Sequence, residues 1–242
     1  MKCSVALRLY VGEYRIYFRT IEVFGGKKLS LLPEDKKELL RNDFKTKLVD
    51  PIRIVMFTQE MECRYCNETR RLAQEIGDLS EKITTEVYDF VKDADKAKEY
   101  GIERIPALAV IGKKDYGVRI YGTPFGYELQ TFIEAIVNVS KGTTDLSEKT
   151  KNVLKEVKGP VQIKVFVTLT CPHCPGAAAI AHKLAIECEN IKADVIEGSE
   201  FPDLSVKYNV IGVPKIIIND KVDFVGEFNE DLFAEHVVLG AI

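Results

Sequence analysis

Two stretches of this chain repeat each other around a pair of cysteines. Cys63-Arg64-Tyr65-Cys66 and Cys171-Pro172-His173-Cys174 each precede a proline, Pro106 and Pro214, by the same 43 residues counted from the first cysteine. The approaches to the prolines also correspond: Tyr100-Gly101-Ile102-Glu103-Arg104-Ile105-Pro106 against Tyr208-Asn209-Val210-Ile211-Gly212-Val213-Pro214. A repeat of this kind in 242 residues makes two similar units. Because it preserves a dithiol and its distance to an aliphatic–proline pair, it points to the same redox chemistry carried twice.

The hydropathy pattern repeats as well. Leu40, Phe44 and Leu48 fall at helical spacing after Pro33, and Ile52 to Phe57 reads as a buried strand leading into the first dithiol. A helix with Leu72, Ile76 and Leu79 inward follows, then a strand from Ile83 to Phe90 and a short helix from Ala94 to Tyr100. Ala107 to Ile111 and Val118 to Tyr121 form a hairpin, and a helix over 127–139 closes the unit. The second half runs in the same order. Leu146 to Val157 is helical, Val161 to Thr168 a strand, and a helix carrying Ile180 and Leu184 follows the second dithiol. Ile191 to Glu197 is a strand, Asp203 to Tyr208 a short helix, Pro214 to Ile218 and Val222 to Val225 a hairpin, and 230–239 the last helix. The polar junction Lys141-Gly142-Thr143-Thr144-Asp145 marks the boundary. This divides the chain into a first unit over 31–142 and a second over 143–242. Residues 1–30 alternate like a β-hairpin and have no counterpart in the second half. They are either an appendage or a consequence of a start site assigned too far upstream.

Composition narrows the class. A net charge of −3 with both signs interspersed argues against a nucleic-acid surface, and no apolar run is long enough to span a membrane. Arg8, Glu13 and Arg15 interrupt the opening apolar stretch, so a cytoplasmic protein is expected rather than a secreted one. In a reducing compartment, paired cysteines are catalytic or metal-binding by default. Charged residues make up 29%, with four Gln, three Met and no Trp, a composition that leans towards a heat-adapted source.

A thiol attacks only as thiolate, and lowering its pKa from about 8.5 to about 7 takes about 2 kcal/mol. A helix N-terminus contributes about 0.3–1 kcal/mol. Placing Cys63 and Cys171 at helix N-termini therefore calls for further help, and Arg64 and His173 are the available cations. Cys66 and Cys174, one turn later, are the resolving thiols. Zinc is the competing structural reading, but 104 residues separate Cys66 from Cys171 and each pair belongs to its own repeat, so no metal is expected. Ile105-Pro106 and Val213-Pro214 are expected to be cis, exposing the backbone of Ile105 and Val213 for pairing with an extended substrate. Pro172 and a protonated His173 are expected to make Cys171–Cys174 the more oxidising pair. Cys188 is expected to be buried and inert, Cys3 has no evident partner, and His182 and His236 serve packing or solvation. There is no dinucleotide fingerprint or phosphate-binding loop, and no cofactor is expected.

Phe166 through Pro175, Ala181-His182-Lys183, and Tyr208-Asn209-Val210 with Val213-Pro214-Lys215-Ile216 resemble the glutaredoxin-like protein disulfide oxidoreductases of thermophilic archaea and bacteria, over about residues 33–239. The resemblance implies an α/β fold of two tandem thioredoxin-fold units, each a central mixed β-sheet flanked by helices, with both dithiols placed where a strand ends and a helix begins. It implies oxidation, reduction and isomerisation of protein disulfides, with a thioredoxin-reductase-like flavoprotein as electron donor. Family members commonly carry Tyr where this chain has His173. Thioredoxin itself has a buried acid six residues before its first active cysteine, whereas Phe57 and Val165 stand there in this chain. Two other readings are an electron relay to a peroxidase, with a peroxiredoxin as partner, and a non-catalytic peptide-binding module of the chaperone kind.

Overall fold

The computed structural model describes residues 8–11, 14–17 and 30–242. Cys3, Gly12 and Glu13 lie outside them. Near the start, β1 (Arg8–Val11) and β2 (Tyr14–Tyr17) pair antiparallel, with Leu9 opposite Ile16. From residue 34 the chain runs α1 (Glu34–Lys47), β3 (Ile52–Thr58), α2 (Cys66–Gly77), β4 (Ile83–Asp89), α3 (Ala94–Tyr100), β5 (Ala107–Ile111), β6 (Asp115–Tyr121) and α4 (Glu128–Lys141). The second half gives α5 (Glu148–Leu154), β7 (Val161–Val167), α6 (Cys174–Glu187), β8 (Ile191–Glu197), α7 (Pro202–Lys207), β9 (Lys215–Ile218), β10 (Val222–Val225) and α8 (Glu230–Ala241). The α5 helix is shorter than its apolar spacing predicts. Ser147 caps it by accepting from the Thr150 N–H at 3.2 Å, and the chain leaves the helix after Leu154.

The strands of each half make a mixed four-stranded sheet, and the two sheets join. The order is β10-β9-β7-β8-β6-β5-β3-β4, so one eight-stranded sheet crosses the molecule. The join is the parallel pairing of β6 with β8, Val118 opposite Ala193 and Tyr121 opposite Ile196. Each of these strands would otherwise leave a row of N–H and C=O groups unpaired at a sheet edge, and each satisfies the other.

Alternation along the strands sends side chains to two layers. Ile54, Met56, Leu108 and Ile163 face the layer that contains Phe44, Leu72, Phe132, Leu184 and Phe233 from α1, α2, α4, α6 and α8. Val55, Phe57, Ala109, Phe166 and Ile217 face the other layer, covered by Ala97 and Tyr100 of α3 and by Phe201 and Tyr208 beside α7. The seam buries a guanidinium. Arg119, with 2% of its surface exposed, donates to the Tyr100 carbonyl and pairs with Asp115 at 2.5 Å. His182 of α6 places Nε2 3.2 Å from the Arg119 carbonyl oxygen, tying a helix of the second half to a strand of the first. Among the described residues no helix is long and apolar enough to cross a membrane.

Candidate active site

Each cysteine pair lies in the turn between a strand and a helix, Cys63–Cys66 between β3 and α2 and Cys171–Cys174 between β7 and α6. The strands β3 and β7 run in the same direction, because β3 opposes β5, β5 opposes β6, and β6, β8 and β7 are parallel. Both pairs therefore lie at one edge of the sheet, where open α/β sheets gather their chemistry. Both helices also lie on the same face. Each pair is joined as a disulfide, with Cα atoms 5.4 and 5.5 Å apart.

The helices begin one step later than the sequence suggests. Their first residues are Cys66 and Cys174, with Tyr65 and His173 as N-caps, so Cys63 and Cys171 stand just outside. Glu62 has φ 60°, a left-handed conformation that no α-helix continues, and Pro172 has no N–H to offer. The first cysteines remain within a turn of the helix end, where the dipole acts. Exposure differs within each pair. Cys66 and Cys174 are sealed at 1% and 0%, whereas Cys63 is half-buried and Cys171 keeps 8% of its surface in solvent.

The candidate modulators are placed unevenly. Arg64 is exposed and its guanidinium lies 5.3 Å from the centroid of the Tyr65 ring. Pro172 and His173 are exposed as well. His173 Nδ1 lies 3.3 Å from Glu227 Oε2, so the ring faces a carboxylate of the loop after β10. Both Ile105-Pro106 and Val213-Pro214 are cis. The carbonyl oxygen of Val213 lies 3.7 Å from Cys171 Sγ. The Pro106 and Pro214 carbonyls accept from Gly122 and Gly226 N–H, each at 2.9 Å, a contact repeated in both halves.

Several polar residues at this edge carry no signal in the sequence. In α2, the Thr69 hydroxyl donates to the Tyr65 carbonyl at 2.8 Å and lies 2.7 Å from Thr123 Oγ1. The Thr123 N–H donates to Glu200, whose own N–H donates to Glu197. Burial pushes the Glu128 carboxyl up to about 7, with Glu197 adding to the rise. Burial likewise lifts Glu200 to about 7, against the opposing Thr123 N–H and with Glu197 reinforcing it. Four residues after Thr123, Tyr127 donates its N–H to the Leu169 carbonyl, two residues before Cys171. The stretch 122–128 thus touches the surroundings of both pairs. Gly126, at φ 60°, is needed there, because a Cβ would overlap the Leu169 carbonyl oxygen.

Cys188 is half-buried rather than buried. It ends α6 as its C-cap, and its thiol points at the Leu154 carbonyl 3.9 Å away. His236 packs against Phe224 and Phe228, and His182 is buried. Among the described residues no group of three or more His, Cys, Asp or Glu is arranged to hold a metal.

Comparison with known proteins agrees with this geometry. Residues 161–238 match the family model of the thioredoxin domain. Over 154 residues the chain is 26% identical to the AhpF component of alkyl hydroperoxide reductase from Staphylococcus epidermidis, covering 63% of this chain but only 28% of that protein. The crystallised N-terminal domain of the Enterococcus faecalis alkyl hydroperoxide reductase is similar in fold, with a TM-score of 0.79 at 24% identity over 85% of this chain and 99% of that one. A protein disulfide oxidoreductase from Aeropyrum pernix is 32% identical, with a TM-score of 0.81 over 86% of this chain and 93% of that one. Identity at that level along nearly the whole of both chains makes this one a member of the protein disulfide oxidoreductases, tandem thioredoxin-fold proteins whose chemistry is dithiol–disulfide exchange.

Proposed function

We propose that the chain exchanges disulfides with protein substrates at both pairs, with Cys63 and Cys171 attacking and Cys66 and Cys174 resolving. The observation that carries this reading is the matched burial of the pairs: in each, the first cysteine reaches solvent and the second is sealed beneath it. In the reducing direction the exposed thiolate attacks a substrate sulfur, the substrate S–S bond breaks, and one substrate thiolate leaves. The resolving thiolate then attacks its partner in the mixed disulfide and releases the second substrate thiol. Two electrons pass to the substrate, and the chain is left as the disulfide.

Protein substrates suit the surroundings. Met61 is 76% exposed beside the first pair, and Ile211 is 88% exposed two residues before Val213. These apolar side chains favour unfolded segments, and the Val213 backbone close to Cys171 offers such a segment a partner. Ile105 and Pro106 take the same part at the first pair. Arg64, Tyr65, Pro172 and His173 tune the thiols. Electrons come from a thioredoxin-reductase-like flavoprotein in the cytoplasm. A second reading, relay of electrons to a peroxidase such as a peroxiredoxin, is favoured by the similarity to the alkyl hydroperoxide reductase component across 63% of this chain.

Reduction of insulin by the full chain tests the assignment. Cys63→Ser and Cys171→Ser should each remove one pair's share of the rate, and together they should bring it to background. A double variant as active as the parent would refute it. Electron transfer to a purified peroxiredoxin, with the insulin rate measured alongside, separates the relay reading from general disulfide exchange.

A further inference from the structure

We infer that Glu200, a residue of the second half, is a positioning residue of the first site, holding the Tyr65 carbonyl through Thr123 and Thr69. The contacts run in one line. Thr69, early in α2, gives the Tyr65 carbonyl both its N–H, at 3.1 Å, and its hydroxyl proton, at 2.8 Å. The Thr69 and Thr123 hydroxyl oxygens are 2.7 Å apart, and with the Thr69 proton committed the one between them comes from Thr123. The Thr123 N–H donates in turn to Glu200 Oε1 at 3.0 Å. Glu200 is itself fixed, because its N–H donates to Glu197 at 2.7 Å. Both threonines are buried, so water cannot replace the links. Gly122 makes room for the carboxyl group: a Cβ there would lie 3.2 Å from Glu200 Cδ and 2.8 Å from Glu197 Cβ. The Gly122 N–H holds the Pro106 carbonyl, so the two residues that Glu200 anchors touch the first site at its helix and at its proline.

What the line holds is a peptide group. The Tyr65–Cys66 peptide is planar, so fixing its carbonyl fixes the Cys66 N–H opposite to it. That N–H is among those at the start of α2 that have no partner within the helix, and it points out of the helix end, where Cys63 stands. A donor kept in that direction stabilises a Cys63 thiolate, and a more stable thiolate favours the reduced pair. The second site is built differently. Three residues after Cys174 stands Ala177, fully buried and without a hydroxyl, where the first half has Thr69. After Gly226 stands Glu227 in place of Thr123, and it faces His173 instead.

The inference rests on the redox role proposed above for the first pair. The test uses the full chain carrying Cys171→Ser and Cys174→Ser, with the equilibrium constant for reduction of the first pair by dithiothreitol measured at one pH. Thr123→Val removes the hydroxyl and keeps the shape, and Glu200→Ala removes the anchor. Each is expected to lower the constant about fivefold, the scale of one hydrogen bond, and the two together no further than either alone. Thr123→Ser, which keeps the hydroxyl, should keep the parent value. A rise in Glu200→Ala, the response of a carboxylate acting on the thiolate by charge alone, overturns the inference. So does an unmoved constant, an additive double variant, or an equal fall in protein keeping only the second pair. A first pair that dithiothreitol cannot reduce refutes the redox role and this inference with it. One that responds as expected but reduces no insulin refutes only the attack on protein substrates.

Discussion

Two buried titratable residues pull the pH dependence of stability in opposite directions. Burial holds His182 down to about 4, so between pH 6.5 and 4 the unfolded chain takes up a proton that the fold refuses, and stability falls as acid is added. Glu128, raised to about 7, does the reverse. Its protonated form is favoured by the fold, and that contribution is lost as pH rises from about 4.5 through 7. From pH 7 to pH 5 each effect amounts to about 2 kcal/mol, and in the native chain they offset one another. Denaturant unfolding at the two pH values should show His182→Gln gaining stability towards pH 5 relative to the parent, and Glu128→Gln losing it. Parallel behaviour of the two variants would contradict the burial argument. The four paired cysteines were legible in the sequence because no other residue does their chemistry at that spacing. Glu128, Glu197 and Glu200 were not, since glutamate is ordinarily a surface residue and only the fold reveals that these three share a buried edge.

At the level of elements, the connection between β6 and α4 is the most constrained piece of chain beside the active sites. Gly126→Ala would put a side chain at φ 60° and against the backbone oxygen of Leu169, which cannot yield without moving the turn that leads to Cys171. We expect it to cost about 2 kcal/mol or more in denaturant unfolding and to change the alkylation rate of reduced Cys171. Stability equal to the parent would show that the turn gives freely. Periodicity located the elements well. Ala94–Tyr100 and Ile191–Glu197 begin and end where the pattern predicts. Helix starts were less legible, because Tyr65 and His173 offer no capping side chain to mark them. The Ser147 cap sets the start of α5, and the helix ends at Leu154, three residues before the predicted Val157.

Across the whole molecule, the repeat announced two units but not their fusion. Nothing in the β6 or β8 sequence says which edge strand meets which, since each reads as a strand whether its partner is local or distant. Once β6 and β8 pair and α6 lies across the seam, neither half keeps its own sheet edge covered if the other unfolds. Calorimetry should therefore show one transition whose calorimetric and van't Hoff enthalpies agree, and two resolved peaks would mean that the seam is weak. The common sheet also sets a distance. Between β3 and β7 lie β5, β6 and β8, four strand spacings in all, or about 19 Å at the usual separation. The two disulfides cannot meet, so electrons cross from one to the other only on the thiols of a third partner. They also act as a ruler: a client chain drawn out along this edge at about 3.3 Å per residue needs about six residues to reach from one pair to the other. Client cysteines closer than that meet the pairs in turn, and those farther apart can be held at both ends at once.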